Sequence, residues 1–252
     1  MSDVQVAGMS MREHVTDAVR LIVPPAGHTH GPLPPLLLAL TVVTGLVDAF
    51  SYLQLGHVLV ANMTGNVVFS GFALGGAPGF VWWALLLAIV AFLIGALAGG
   101  RLRARVGAHR GRHLNAAAWA EFVLVIAAFM IALGASRPYH DWSLALLIVF
   151  LGLGLGLQNA TARALAVPDL TTTVLTLTLT GIAADSAPAG GSGSRIGRRV
   201  VPIAAMFLGA AIGAALVVHQ AAPAALGVAA GLLALVVVAT HLSKRSIESW
   251  TR

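Results

Sequence analysis

The sequence predicts an all-α polytopic membrane protein: six transmembrane helices, two re-entrant or broken segments, and an inverted repeat of 3+3 spans. Three observations carry this reading. The 252 residues are 58% hydrophobic and only 10% charged, with a mean hydropathy of +0.89, which is too little polar surface to cover a soluble globule. Uncharged or nearly uncharged windows run over 34–55, 80–100, 115–136, 143–162, 200–219 and 222–241, each meeting the need for about 20 apolar residues per bilayer-spanning helix. The basic residues are grouped between those windows in a way that fixes the number of crossings.

In chain order, residues 1–33 form an N-terminal segment holding Asp3, Arg12, Glu13, Asp17 and Arg20. No long uncharged core precedes a small-residue cleavage site, so this is not a secretory signal peptide. Met9, Met11, Val15, Val19 and Ile22 make an apolar edge suited to a short helix on the cytoplasmic leaflet. The run GHTHGPLPP then breaks the chain before the first span, and its two histidines read as linker rather than as metal ligands.

The stretches 57–76 and 168–184 are apolar but carry polar clusters, and the arginines decide whether they cross. With six spans and both termini cytoplasmic, Arg12, Arg20, Arg101, Arg103, Arg105, Arg110, Arg112, Arg163, Arg195, Arg198, Arg199, Lys244, Arg245 and Arg252 all fall inside, leaving Arg137 outside. Eight full spans strand at least six basic residues on the wrong face whichever way the chain is inserted. The two stretches therefore enter the membrane without crossing it. The membrane domain is 34–242, with halves at about 34–136 and 143–242, followed by a cytoplasmic tail at 243–252.

An internal repeat agrees with that parity. GLVDA at 45–49 matches GLQNA at 156–160, NMTGNVV at 62–68 matches DLTTTVL at 169–175, and IGALAGG at 94–100 matches LGAAIGA at 208–214, in the same order. Three crossings per half place the halves in opposite orientations, the inverted-repeat plan of many transporters. The first dip then enters from outside and the second from the cytoplasm, with their tips near the midplane. Chance self-similarity of low-complexity membrane sequence is the competing account.

The site residues come from the polar interruptions. Asp48 lies about three turns into the first span, too deep for its side chain to reach water, so it is paired, neutral or beside a cavity. It reads either as a proton carrier or as a helix-to-helix hydrogen bond from a neutral acid. Asn62, Thr64 and Asn66, spaced two and two, cannot share one helical face, which suits a non-helical tip able to replace an ion's or solute's hydration. They equally suit capping of a broken backbone.

In the second half, Asp169 after Pro168 is placed as an N-cap, with Thr171, Thr172 and Thr173 in the first turn, aiming a positive helix end inward. Thr176, Thr178 and Thr180 alternate like a strand, yet an unpaired strand has no place in lipid, so the stretch is expected to be helical with hydroxyls bonded to its own carbonyls. Gln158 and Asn159 are the counterparts of Val47 and Asp48. The substrate- or ion-binding set is therefore Asp48, Asn62, Thr64, Asn66, Gln158, Asn159, Asp169, Thr171 and Thr173. Glu121 reads either as a partner for a site residue or, preferably, as reaching back toward the basic loop 101–113, and Trp82, Trp83, Trp142 and Tyr139 are expected to form an interfacial belt.

These residues carry a resemblance. GLVDAFSYLQLGHVLVANMTGNVV and GLGLQNATARALAVPDLTTTVLTLTLTGIA resemble the YoaK-type family of bacterial inner-membrane proteins, a family classed as a domain of unknown function. The likeness rests on Asp48, the Asn-Met-Thr-Gly-Asn of 62–66, Gln158 with Asn159, and the Pro-Asp-Leu-Thr-Thr-Thr of 168–173, and extends over about 34–242. It implies a multi-pass membrane protein and no particular substrate.

Other classes fare poorly. The pI near 11.3 comes from basic clusters between spans rather than from one basic face, which argues for membrane anchoring and against nucleic acid. The chain has no cysteine, hence no disulfide, thiolate metal site or cysteine nucleophile. Neither Asp48 nor Asp169 sits in an aspartyl-protease context, and no rhomboid-like serine, phosphate loop or zinc motif occurs. The sequence thus predicts a transporter or channel for a small solute or ion, with no cofactor and no metal. Its partners are the bilayer, the solute and, in an oligomer, its own copies. A non-transporting membrane scaffold and, behind it, an intramembrane enzyme are the alternatives.

Overall fold

The computed structural model describes residues 11–25, 27–107, 109–170, 175–186, 189, 196–243 and 249–251. Among these the chain is all-helical. A short α1 (Met11–Ile22) is followed by α2 (Leu33–Gln54), α3 (Met63–Leu74), α4 (Trp82–Val106) and α5 (Arg110–Gly134), then α6 (Asp141–Leu165), α7 (Leu175–Ala184), α8 (Ile196–Val218) and α9 (Ala222–Ser243). Six of them, α2, α4, α5, α6, α8 and α9, are long and apolar enough to cross a membrane. The protein is a multi-pass membrane protein. The two stretches read from sequence as polar interruptions hold the short apolar helices α3 and α7.

Local chemistry sets the ends. Prolines in the first turn of α2 occupy positions whose N–H groups have no helical partner. His109 accepts from the Arg112 N–H at the start of α5, and α6 stops at Ala166 in the left-handed conformation.

Burial distinguishes two of the six long helices. Within their apolar windows α2 and α6 are 67% and 61% enclosed, against 28–44% for the other four, so this pair forms the centre. Leu37, Leu40, Val43, Leu46 and Phe50 of α2 and Leu147, Ile148, Leu151 and Leu155 of α6 are fully or almost fully buried.

Each central helix is crossed at close range by a helix from the other half: α2 by α8, and α6 by α4. Glycines make both approaches possible. Gly209 lies on the Val42 carbonyl and Gly213 on Leu46 and Ala49; Gly95 lies on the Leu153 carbonyl and Gly99 on Leu157 and Ala160. From the opposite side, Gly45 abuts Met206 and Ala210, while Gly156 abuts Phe92 and Ala96. These contacts follow the register in which GLVDA matches GLQNA and IGALAGG matches LGAAIGA. α5 and α9 close the bundle against one another, with Asn115 donating to Thr240 Oγ1 at 2.9 Å and to the Val237 carbonyl.

Several expectations change here. Glu121 does not reach back to the basic loop. It is 1% exposed and its Cγ lies against Gly154 of α6. Tyr139 is not in a belt: it is 5% exposed, with its hydroxyl donating to the Ala132 carbonyl at 3.0 Å. Trp82 and Trp142 are exposed at the first turns of α4 and α6. In the tail, Trp250 is buried against Gly31 and Gly111, and Arg110 donates to its carbonyl. α1 packs on α8, and Val15, Val19 and Ile22 keep the expected apolar edge exposed.

Candidate functional site

The site is built where the chain turns back after α2. Gly56 and His57 both take positive φ, 72° and 61°, and reverse the chain, so that the Ala61 N–H donates to Asp48 Oδ1 at 2.9 Å. Asp48 sits six residues before the end of α2. At 1.5 Å per residue, α3 therefore starts about 9 Å inside that end.

The returning segment is irregular backbone, whose amides and carbonyls need partners. Asn66, fully buried, supplies two of them. Its Oδ1 accepts from the Leu59 N–H at 2.9 Å and its Nδ2 donates to the Leu59 carbonyl. This amide does for Leu59 what a neighbouring strand does in a sheet. The far end of α3 is held by rings, with Phe69 and Phe72 against Phe80 at centroid distances of 5.3 and 5.7 Å.

The first turn of α3 opens on a cavity of about 600 Å³. Asn62, Met63, Thr64 and Gly65 line one side; Leu175 and Thr176, the first described residues of α7, line another. Phe92 of α4 and Met206 of α8 complete it, and these are the two residues that abut Gly156 and Gly45 at the crossings. Thus the beginnings of both short helices share one space.

The sequence-predicted residues divide around this cavity. Asn62 and Thr64 line it, and Asn62 makes no side-chain cap bond to α3. Asp48 stands behind the wall, joined to it through Ala61. Gln158 lies at the contact of the central helices, its Nε2 donating to Thr44 Oγ1 at 2.7 Å, one turn from Asp48; its Oε1 is buried without a hydrogen-bond partner. Asn159, half-buried, donates to the Leu155 carbonyl of its own helix at 3.0 Å.

Asp169 is not extended as an N-cap is. Its φ is 64°, and its carboxylate faces Arg199 at 3.5 Å and Arg198 at 3.7 Å. Arg199 also pairs with Asp185, beyond the other end of α7, at 2.7 Å. Thr171 and Thr173 lie outside the described residues. Within α7, Thr180 donates to the Thr176 carbonyl at 2.9 Å, as expected for a helix rather than a strand.

Sequence reasoning missed Met63, Phe92 and Met206, because an apolar residue in an apolar helix carries no signal of facing a cavity. It also missed the clasp formed by Arg199, which had already been explained by the charge rule. The signal available there was the acidic pair Asp169 and Asp185 bracketing a segment that ends just before a basic run. Among the described residues no group of three or more His, Cys, Asp or Glu is placed to hold a metal.

Comparison with known proteins agrees with the membrane architecture. A stretch of 62 residues, 25% of this chain, is 42% identical to the "UPF0700 transmembrane protein YoaK" of Bacillus subtilis (strain 168), and spans 28% of that protein. No solved structure matches the chain. A family described as "Protein of unknown function (DUF1275)" matches residues 36–239, which run from the first turn of α2 to the last turns of α9, and the chain therefore belongs to the DUF1275 family.

Proposed function

We propose that the protein carries a small solute across the bacterial inner membrane, as a transporter or channel, through the cavity shared by α3 and α7. One observation carries the reading: two helices too short to cross begin at the same 600 Å³ space, where backbone ends and polar side chains can stand in for water. The depth of α3 below the end of α2 supports a re-entrant path for the first segment. The matched glycine contacts of the two crossings, with Phe92 and Met206 in corresponding places, support an inverted repeat with the cavity on its axis. The arginine distribution supports cytoplasmic termini.

In mechanism, Asp48 is the coupling group. Its carboxylate holds the Ala61 N–H, and Ala61 belongs to the cavity wall. Charge-assisted hydrogen bonds are about twice as strong as neutral ones, so protonation of Asp48 loosens the start of α3 and links proton occupancy to the shape of the cavity. Alternating access then follows from movement of one short helix and its crossing helix against the other. On this reading the protein is a carrier rather than an enzyme: among the described residues the cavity is lined by one amide and two hydroxyl side chains, with no base beside a nucleophile.

The lack of native cysteine makes a direct test clean. Single cysteines at Thr64 and Thr176, in an otherwise cysteine-free protein in membrane vesicles, should both react with a charged, membrane-impermeant thiol reagent, from opposite faces. Two unreactive cysteines, or modification of both from one face only, overturn the reading. Intact abundance with unreactive sites would instead favour a scaffold whose polar residues only join helices.

A further inference from the structure

Resting on the solute-path reading above, we propose that the cavity's ligand is an uncharged small organic molecule with an apolar body and hydrogen-bonding groups, and not an ion. The lining argues this directly. Met63, Phe92, Leu175 and Met206 supply thioether, aromatic and aliphatic surface; Asn62, Thr64 and Thr176 supply an amide and two hydroxyls. That mixture, an apolar lining with a few convergent polar groups in an open-sided pocket of roughly 300–1,000 Å³, is what small-molecule sites share.

Charge is what the site lacks. No Asp, Glu, Lys, Arg or His lines it among the described residues. The nearest charges are already committed: Asp48 Oδ1 holds the Ala61 N–H, and Asp169 is matched by Arg198 and Arg199. A desolvated charge without a partner is strongly disfavoured.

Size argues the same way: at about 600 Å³ the pocket is far larger than the shell of a bare ion. Ion sites instead hold oxygens in a tight shell, about 2.3–2.6 Å from calcium, for example. The single described aromatic wall, Phe92, is also too little for the aromatic cage that organic cations require.

The test uses three ligands of nearly one shape that differ in charge: benzamide, benzoate and benzamidinium at neutral pH. Each is added to the purified full-length Thr64→Cys protein, and the rate of thiol modification is followed. A Val67→Cys protein, altered on the exposed side of α3, reports non-specific effects. Benzamide is expected to slow modification at Thr64→Cys at a concentration about tenfold below that needed with either charged analogue, and to leave Val67→Cys unaffected. Adding Phe92→Ala should abolish that protection while the cysteine stays reactive.

Equal protection by all three, better protection by a charged analogue, protection by potassium or phosphate ions, or no protection by any overturns the assignment. A cysteine at Thr64 that water-borne reagent never reaches overturns the solute path itself, so the two failures are told apart.

Discussion

The two halves of the bundle share a crossing and differ in how each holds its short helix. At the crossings the halves are interchangeable: Gly95 and Gly99 sit on Leu153 and Leu157 as Gly209 and Gly213 sit on Val42 and Leu46. At the short helices they part company. α3 is tied into the core by Asp48 and by Asn66, itself fully buried, and by a group of phenylalanines. α7 has no buried residue. It is held from outside by the Arg199 guanidinium, which lies against Gly181 and reaches Asp185 and Asp169.

Physical chemistry gives those two fastenings different strengths. Breaking a desolvated network strands polar groups, whereas ion pairs that keep part of their hydration, with Arg199 20%, Asp169 24% and Asp185 53% exposed, contribute less, about 1 kcal/mol each. On the transport reading proposed above, α3 is the more firmly anchored wall of the cavity and α7 the more weakly held one.

The largest expected effects test what the halves share. Gly95→Val and Gly209→Val each drive a side chain into the backbone of the partner helix and should destabilise by about 3 kcal/mol or more, and by similar amounts. Thermal unfolding in detergent measures this; one tolerant position and one intolerant one would break the equivalence.

Asn66→Ala comes next. It leaves the Leu59 N–H and carbonyl without partners, at about 1–3 kcal/mol for each stranded group, while a polar replacement in α7 such as Thr178→Ala should stay within about 0.5 kcal/mol. Equal losses would show that α3 is not the better anchored helix.

Asp48→Asn retains an oxygen to accept from Ala61 and should shift stability by less than about 1 kcal/mol, yet remove proton dependence of flux in reconstituted vesicles. Unchanged proton dependence would sharpen the comparison by reducing Asp48 to a tether.

The smallest effect on stability is assigned to Arg199→Gln, below about 1 kcal/mol. Its signature is local: amide hydrogen exchange should rise several-fold across α7 and stay unchanged across α3. A rise in both, or in neither, contradicts the division into a firmly anchored and a weakly held wall.

Much of the architecture was legible in the sequence because the bilayer leaves few choices. A span needs about 20 apolar residues, and the six windows fall on the six long helices within a few residues, except at the polar ends of α4 and α5. That α2 and α6 form the centre was not legible, because burial among apolar helices depends on their neighbours. The site was legible only in its polar part: Asn62 and Thr64 stood out, Phe92 and Met206 did not, since which face of a lipid-compatible helix meets a cavity depends on neighbours distant in the chain. Asn66 was visible but its role was not, because an amide that serves a ligand and one that serves Leu59 look alike until the backbone is placed. Glu121 faces inward against Gly154, more than thirty residues away, a neighbour that its own helix could not reveal.

The crossings also constrain how the protein is made. Gly45 of the first span meets its partner only in α8, around Met206 and Ala210. At the roughly 5–20 residues per second of translation, that is a delay on the order of ten to thirty seconds during which the flat face of the first span meets only lipid or the insertion machinery. Biogenesis of the bundle is therefore a waiting problem: of the six spans, the one made first is among the last to find its neighbour.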